Sequence, residues 1–343
     1  MFVTSWGRFQ RRFDQLLDDM KRHEALIDQE ANARNIAEAR QMRQDIHTWR
    51  EESLAQVSRL EVEQDAKQYQ AMVSWLKVDE SDQLAIFDSI STEAVKYPGT
   101  CGWVLQNPKV GSWLQRKPDT QTLWLHGAPG AGKSVISTQL VNFMKNAGGF
   151  IIHHFCSYSY PSSLKYEQIL RSLLLQLLQR DGELVAHVYE KCVLGKEPPT
   201  APALEKLLHT VFTTISYKPY QTEYIWVILD GLEECEADKQ ARIASSLNQI
   251  TLKSSSLGTT ICKVLISSRA SPILLNRLRK AWTISLAEEK DCLAAAIGHY
   301  VSQRLQLLSP KFRQLNTGPG EMETIKCRIT KKADGKLDKL LRS

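Results

Sequence analysis

Gly127-Ala128-Pro129-Gly130-Ala131-Gly132-Lys133-Ser134 concentrates more chemistry than any other segment of this chain. Its glycines permit backbone conformations that a Cβ would obstruct, so successive N–H groups can converge on an anion. Lys133 brings a mobile cation suited to β- and γ-phosphates, and Ser134 a hydroxyl for Mg²⁺. The pattern G-x-x-x-x-G-K-[ST] is informative only between a strand and a helix. Here the apolar Leu123–His126 precedes it and a helical Lys133–Lys145 follows. A helix that starts near Gly132 aims its positive dipole end at the same anion. These eight residues are therefore expected to cradle the phosphates of ATP or GTP, and no base-reading motif separates the two.

A second element is Ile225–Leu229 followed by Asp230, Gly231, Leu232, Glu233 and Glu234. An acid just after a buried strand sits at the carboxyl edge of the sheet, where the phosphate loop also leaves its strand. Asp230 is expected to reach, through water, a Mg²⁺ held by Ser134. Glu233 and Glu234 stay open between two roles. Either orients an attacking water, or both are solvated acids at a helix start. A third strand, Lys263–Ser267, ends in Ser268 and Arg269, and Arg269 is placed to sense or neutralise a γ-phosphate. Its alternative role is a surface arginine at a strand end. Adjacent His153 and His154 face opposite sides of a strand and cannot share a metal. Trp103, Trp113, Trp124 and Trp226 are read as packing residues rather than a stacking platform.

These groups need a parallel sheet to hold them. Strands are expected at Leu123–His126, Phe150–Cys156, Tyr224–Leu229, Cys262–Ser267 and Thr283–Leu286. Helices are expected at Lys133–Lys145, Tyr166–Arg180, Leu204–Ile215 and Leu293–Leu308. Alternation of this kind gives an α/β fold, a P-loop NTPase parallel sheet flanked by helices. An all-α N-terminal region (1–77) is expected ahead of it, rich in Glu, Gln, Arg, Lys and Ala and free of proline. One apolar stripe there runs through Trp6, Phe9, Phe13, Leu16, Leu17 and Met20. A weaker one passes Ile36, Met42, Ile46, Trp49, Leu54, Val57 and Leu60. The spacing is too irregular for a clear coiled coil and fits a helical hairpin or bundle fragment. Residues 78–121 form a connector, broken at Pro98-Gly99, Gly102 and Asn107-Pro108. The NTPase module takes 122–310, and 311–343 is expected as a basic, solvated tail that is the truncated start of a following helical region.

Bulk properties narrow the field further. The chain has 343 residues, enough for about two domains, and 43% hydrophobic content, enough for a real core. A net charge of +6 without a dense basic patch speaks against nucleic acid as a partner. Seven scattered cysteines with no CxxC pair indicate neither a zinc site nor a disulfide framework, and favour a reducing, cytoplasmic setting. No apolar run approaches a membrane span.

In this order the three elements resemble NACHT-type NTPases of the STAND class, and more narrowly the nephrocystin-like NACHT modules of fungal multidomain proteins. Further matching residues are Gly99-Thr100-Cys101-Gly102-Trp103 and Trp113-Leu114 in the lead-in, Ile266–Arg269, and Ile297–Val301. The resemblance spans about Tyr97 to Gly335. It implies five parallel strands with the Arg269 strand between the phosphate-loop and Asp230 strands. It also implies Mg²⁺ with ATP or GTP, and a signalling switch that self-associates or meets protein partners through its helical N-terminus. Gly231 stands where many rapid P-loop ATPases carry a glutamate, so hydrolysis is expected to be slow. Relatives continue past a segment like Ala333-Asp334-Gly335 into an aromatic-rich helix and a winged-helix region, so this chain is expected to be a shortened or minimal member. Two rivals remain: a helical scaffold or adaptor with a vestigial NTPase module, and a nucleoside kinase, whose arginine-bearing lid the Ser157–Ser163 region does not supply.

Overall fold

The computed structural model describes residues 12, 14–21, 36–117, 119, 121–180, 182–214, 223–257, 260–314 and 319–333. They divide into two compact units, residues 1–74 with 185–197 and residues 75–184 with 198–343. In the first unit residues 14–21 are helical. Most of helix α1, Ile36–Leu76, also belongs there. At 41 residues it runs through the weaker apolar stripe without a break. Trp6, Phe9 and Phe13 lie outside the described residues.

In the second unit the apolar runs become strands. They are β1 (Thr122–His126), β2 (Phe150–Phe155), β3 (Glu223–Asp230), β4 (Thr260–Ser268) and β5 (Trp282–Ser285). All pair in parallel, in the order β2-β3-β4-β1-β5. The Arg269 strand thus lies between the other two, as the resemblance implied. Strands covered on both faces must be apolar almost throughout. Accordingly every residue of β4 is buried, and so are the last six of β3. Register then sets the site. Asp230 pairs with Ser267, and Ser267 with Leu125, so β1, β3 and β4 end level within a residue or two.

The helices cover this sheet. From α2 (Ser81–Lys96) the chain passes through two short helices, α3 (Gly102–Gln106) and α4 (Pro108–Leu114). The expected connector is therefore mostly helical. Asn107 caps α4, its side chain accepting from the Lys109 amide at 3.0 Å, and Pro108 occupies the first turn, where a missing N–H costs nothing. Helix α5 (Lys133–Asn146) buries Ile136, Leu140, Val141 and Met144 against the sheet at helical spacing. The chain continues through α6 (Tyr166–Leu178), α7 (Gly182–Val188, in the first unit from Val185 on), α8 (Ala201–Thr214), α9 (Ala237–Leu257), α10 (Pro272–Arg277), α11 (Lys290–Gln314) and α12 (Pro319–Ala333). Helix α12 is helical, as the start of a following helical region would be, but it is not wholly solvated. Its Ile325 and Ile329, one turn apart, pack on Tyr97, Ile297, Tyr300, Val301 and Leu305.

Candidate functional site

The chain leaves β1 at His126, turns through Gly127–Gly132 and enters α5 at Lys133. Gly130 and Gly132 hold φ of 76° and 85°, left-handed values that cost a side-chain-bearing residue about 1–2 kcal/mol. Lys133 is buried, and its Nζ donates to the carbonyls of Gly127 at 3.1 Å and Ala128 at 3.2 Å. The ammonium thus closes the loop from within and lies against its carbonyl side.

Across the sheet edge, Asp230 is fully buried at the end of β3 and accepts from Ser137 Oγ at 2.9 Å. Burial raises its pKa above the usual carboxylate range, and the hydroxyls of Ser134, Ser267 and Ser137 oppose that rise. Such a carboxyl is accommodated by a cation close by or by taking up a proton. Among the described residues no group of three or more His, Cys, Asp or Glu could hold a metal alone. That fits Mg²⁺, which takes one or two protein oxygens and completes its shell with phosphate and water. Ser134 and Asp230 are the residues here that suit it.

The two acids after Gly231 part ways. Glu233 Oε1 lies 3.4 Å from Lys133 Nζ and 3.4 Å from Arg269 Nε. The Lys133–Glu233 side chains are 9% and 11% exposed and Arg269 is 50% exposed, so water screens the arginine contact far more. Glu233 Oε2 is buried without a hydrogen-bond partner. Glu234 instead accepts from the Tyr158 amide at 2.5 Å, and burial raises its pKa. Neither acid is the freely solvated residue of the alternative reading. Gly231 holds φ of 70°, and a Cβ on it would meet the Cys156 carbonyl oxygen at 2.5 Å. A glutamate next to Asp230 is therefore excluded by backbone geometry as well as by sequence.

Beside the loop opens a small apolar cavity of about 60 Å³. Tyr97, Trp103, Ala131, Gly132, Ile136 and Tyr300 line it. The rings of Tyr97 and Tyr300 stand 4.3 Å apart. Trp103 packs against the core, as expected, and also lines this space. Sequence reasoning missed the cavity and Ser137 alike. Ser137 was legible in principle, because it follows Lys133 by four residues and so shares its helix face.

The sequence of residues 99–269 matches the family model described as Nephrocystin 3, N-terminal. The chain is also 26% identical over 217 residues to the vegetative incompatibility protein HET-E-1 of Podospora anserina, a match covering 61% of this chain and 15% of that protein. The chain thus spans a small part of that relative's length. Solved structures titled as a DNA replication initiation factor and as the Drosophila ORC bound to DNA align over 70% and 68% of this chain. They cover 62% and 36% of theirs, at 12% and 11% identity and TM-scores of 0.30 and 0.32, too low to carry an argument. No helix among the described residues is long and apolar enough to cross a membrane. Kinship with P-loop NTPases suggests nucleotide binding. Family match, fungal relative, parallel sheet and glycine-rich loop agree: residues 99–269 are a nephrocystin-3-like NACHT module.

Proposed function

We propose that this chain binds ATP or GTP with Mg²⁺ on Gly127–Ser134, hydrolyses it slowly, and works as a STAND-type signalling switch. One observation carries the reading: buried Asp230 ends level with the glycine-rich loop and is bonded to Ser137, one turn from Lys133. In this account the amides of Gly127–Gly132 and the Lys133 ammonium hold the β- and γ-phosphates. Ser134 and Asp230 hold Mg²⁺, whose charge offsets that of the phosphates and of buried Asp230. Arg269 reaches the γ-phosphate from the β4 end. The cavity of Tyr97, Trp103 and Tyr300 is apolar and aromatic enough for a nucleobase.

Slow turnover follows from the acids. With Gly231 unable to carry a side chain, water activation falls to Glu233 or Glu234. The first is held between Lys133 and Arg269 and the second by the Tyr158 amide. Both must let go of a partner before either can orient water. The proposed division keeps a helical region at 1–77, a lead-in at 78–121, the NTPase module at 122–310 and a basic segment at 311–343 that begins a following helical region, in a cytoplasmic protein. Helix α1 exposes Trp49 and Leu60 on one face, three turns apart, and a protein partner or self-association is placed there. The test combines a turnover assay with oligomeric mass before and after a non-hydrolysable triphosphate. Slow hydrolysis weakened further by Glu234→Gln, with a mass increase, is expected. Turnover at roughly 10 s⁻¹ or faster, undiminished by Glu234→Gln, would sink the switch reading.

A further inference from the structure

The acidic turn is pinned at both ends to one cysteine. Cys156 follows β2, and its amide donates to the Asp230 carbonyl at 2.9 Å while its own carbonyl presses on Gly231. Cys235 closes the turn: its amide donates to the Leu232 carbonyl at 3.2 Å, and its carbonyl accepts from Gln240 Nε2 at 2.7 Å. The two sulfurs stand 3.6 Å apart, both in buried residues. Cys262, by contrast, is sealed inside β4, and Cys327 lies exposed on α12.

We propose that Cys156 and Cys235 are a reversible dithiol–disulfide site that locks the Gly231–Cys235 turn and slows hydrolysis under peroxide. The consequence for hydrolysis rests on the NTPase reading above, whereas formation of the bond does not. A disulfide needs sulfurs about 2.05 Å apart, so closure asks for roughly 1.5 Å of sulfur travel. The backbones are already docked at Asp230 and Gly231, and the side chains and the end of the turn supply that travel. Contact with the Cys156 thiol, with help from the Lys239 ammonium, lowers the Cys235 pKa, so Cys235 is the first to ionise.

The oxidant is hydrogen peroxide. The Cys235 thiolate attacks one peroxide oxygen, the O–O bond breaks, and the departing hydroxide takes a proton to leave as water. Cys235 is then a sulfenic acid. Cys156 attacks that sulfur, gives up its proton, and expels the hydroxyl as a second water. Two thiols and one peroxide thus yield one disulfide and two waters. Cys235 lies two residues from Glu233, whose contacts with Lys133 and Arg269 are 3.4 Å each. A bond from Cys235 to β2 therefore tethers the turn and holds Glu233 in those contacts, which it must leave to orient water. The glycine-rich loop hangs from β1 and is left in place.

The experiment treats the full chain with hydrogen peroxide, maps cysteine-containing peptides by mass spectrometry, and measures turnover and nucleotide affinity before and after dithiothreitol. A Cys156–Cys235 cross-linked peptide is expected, with turnover at least fivefold lower, affinity within twofold, and full recovery on reduction. Cys156→Ser and Cys235→Ser should keep basal turnover and lose the response, with alanine replacements used where serine impairs folding. Cys156 and Cys235 still alkylatable after Cys327 is oxidised would overturn the site. A cross-link that leaves turnover unchanged, or a loss that persists in both variants, would overturn its regulatory role. Should the chain hydrolyse nothing, the cross-linked peptide alone still decides whether the bond forms.

Discussion

Replacing Gly231 by alanine probes the turn on which the acids depend, and Gly148 provides the internal control. Both glycines hold φ of 70°, so both lose about 1 kcal/mol when a Cβ is forced into the left-handed region. They differ in what the new Cβ meets. At Gly148 there is nothing within 4 Å, whereas at Gly231 the Cys156 carbonyl oxygen stands at 2.5 Å and its carbon at 3.4 Å. Backbone is on both sides of that clash, and Cys156 is itself bonded to Asp230, so relief requires moving β2 against β3. Overpacking of this kind costs about 1–3 kcal/mol. Gly148→Ala should therefore lose about 1 kcal/mol and Gly231→Ala about 3 kcal/mol. For a unit of this size that is a drop of roughly 3 °C against roughly 9 °C in Tm. Urea titration at constant m, checked by thermal melts, reads both. Equal losses in the two variants would refute the argument, because only the shared φ term would then be acting.

Two further outcomes follow from buried groups. His154 is fully buried, and burial pulls its pKa to about 4. A folded value below the unfolded one means the unfolded chain binds the extra proton. That stability is complete above pH 6.5 and is lost as pH falls toward 4, by about 2 kcal/mol between pH 7 and 5. His154→Gln should flatten this slope in urea titrations, and an unchanged slope would count against it. Lys263 is buried in β4, and its Nζ donates to the carbonyls of Trp113 at 2.9 Å and Gln115 at 2.5 Å. Lys263→Met leaves both carbonyls without their donor and should cost about 2 kcal/mol at pH 7. Burial lowers the lysine to about 8, so the wild type gains stability as pH rises from 8 to 10.5 and the variant does not.

The strands and the glycine-rich loop were legible for a physical reason. Parallel strands covered on both faces must be continuous apolar runs, and a phosphate cradle needs glycines at fixed offsets from Lys133. The lead-in was misjudged because Asn107-Pro108 ends one helix and starts the next, and sequence alone shows only the interruption. The packing of the C-terminal helix was hidden by its charges, although Ile325 and Ile329 carry its packing face. Contacts across the sheet were out of reach. That Glu233 meets Lys133, and Cys156 meets Cys235, depends on strand order and register, which bring together residues 100 and 79 positions apart.

The most direct test of the account is a titration of the full chain with a fluorescent triphosphate analogue in the presence of Mg²⁺, beside Lys133→Ala. Lys133 makes its bonds within the loop itself, so circular dichroism should confirm that the variant is folded. Saturable binding by the wild type, weakened at least tenfold in Lys133→Ala and competed by unlabelled ATP or GTP, is the predicted result. Absent binding, or equal affinity in a folded Lys133→Ala chain, would contradict the claim that Gly127–Ser134 is a working nucleotide site and leave the helical scaffold as the better reading.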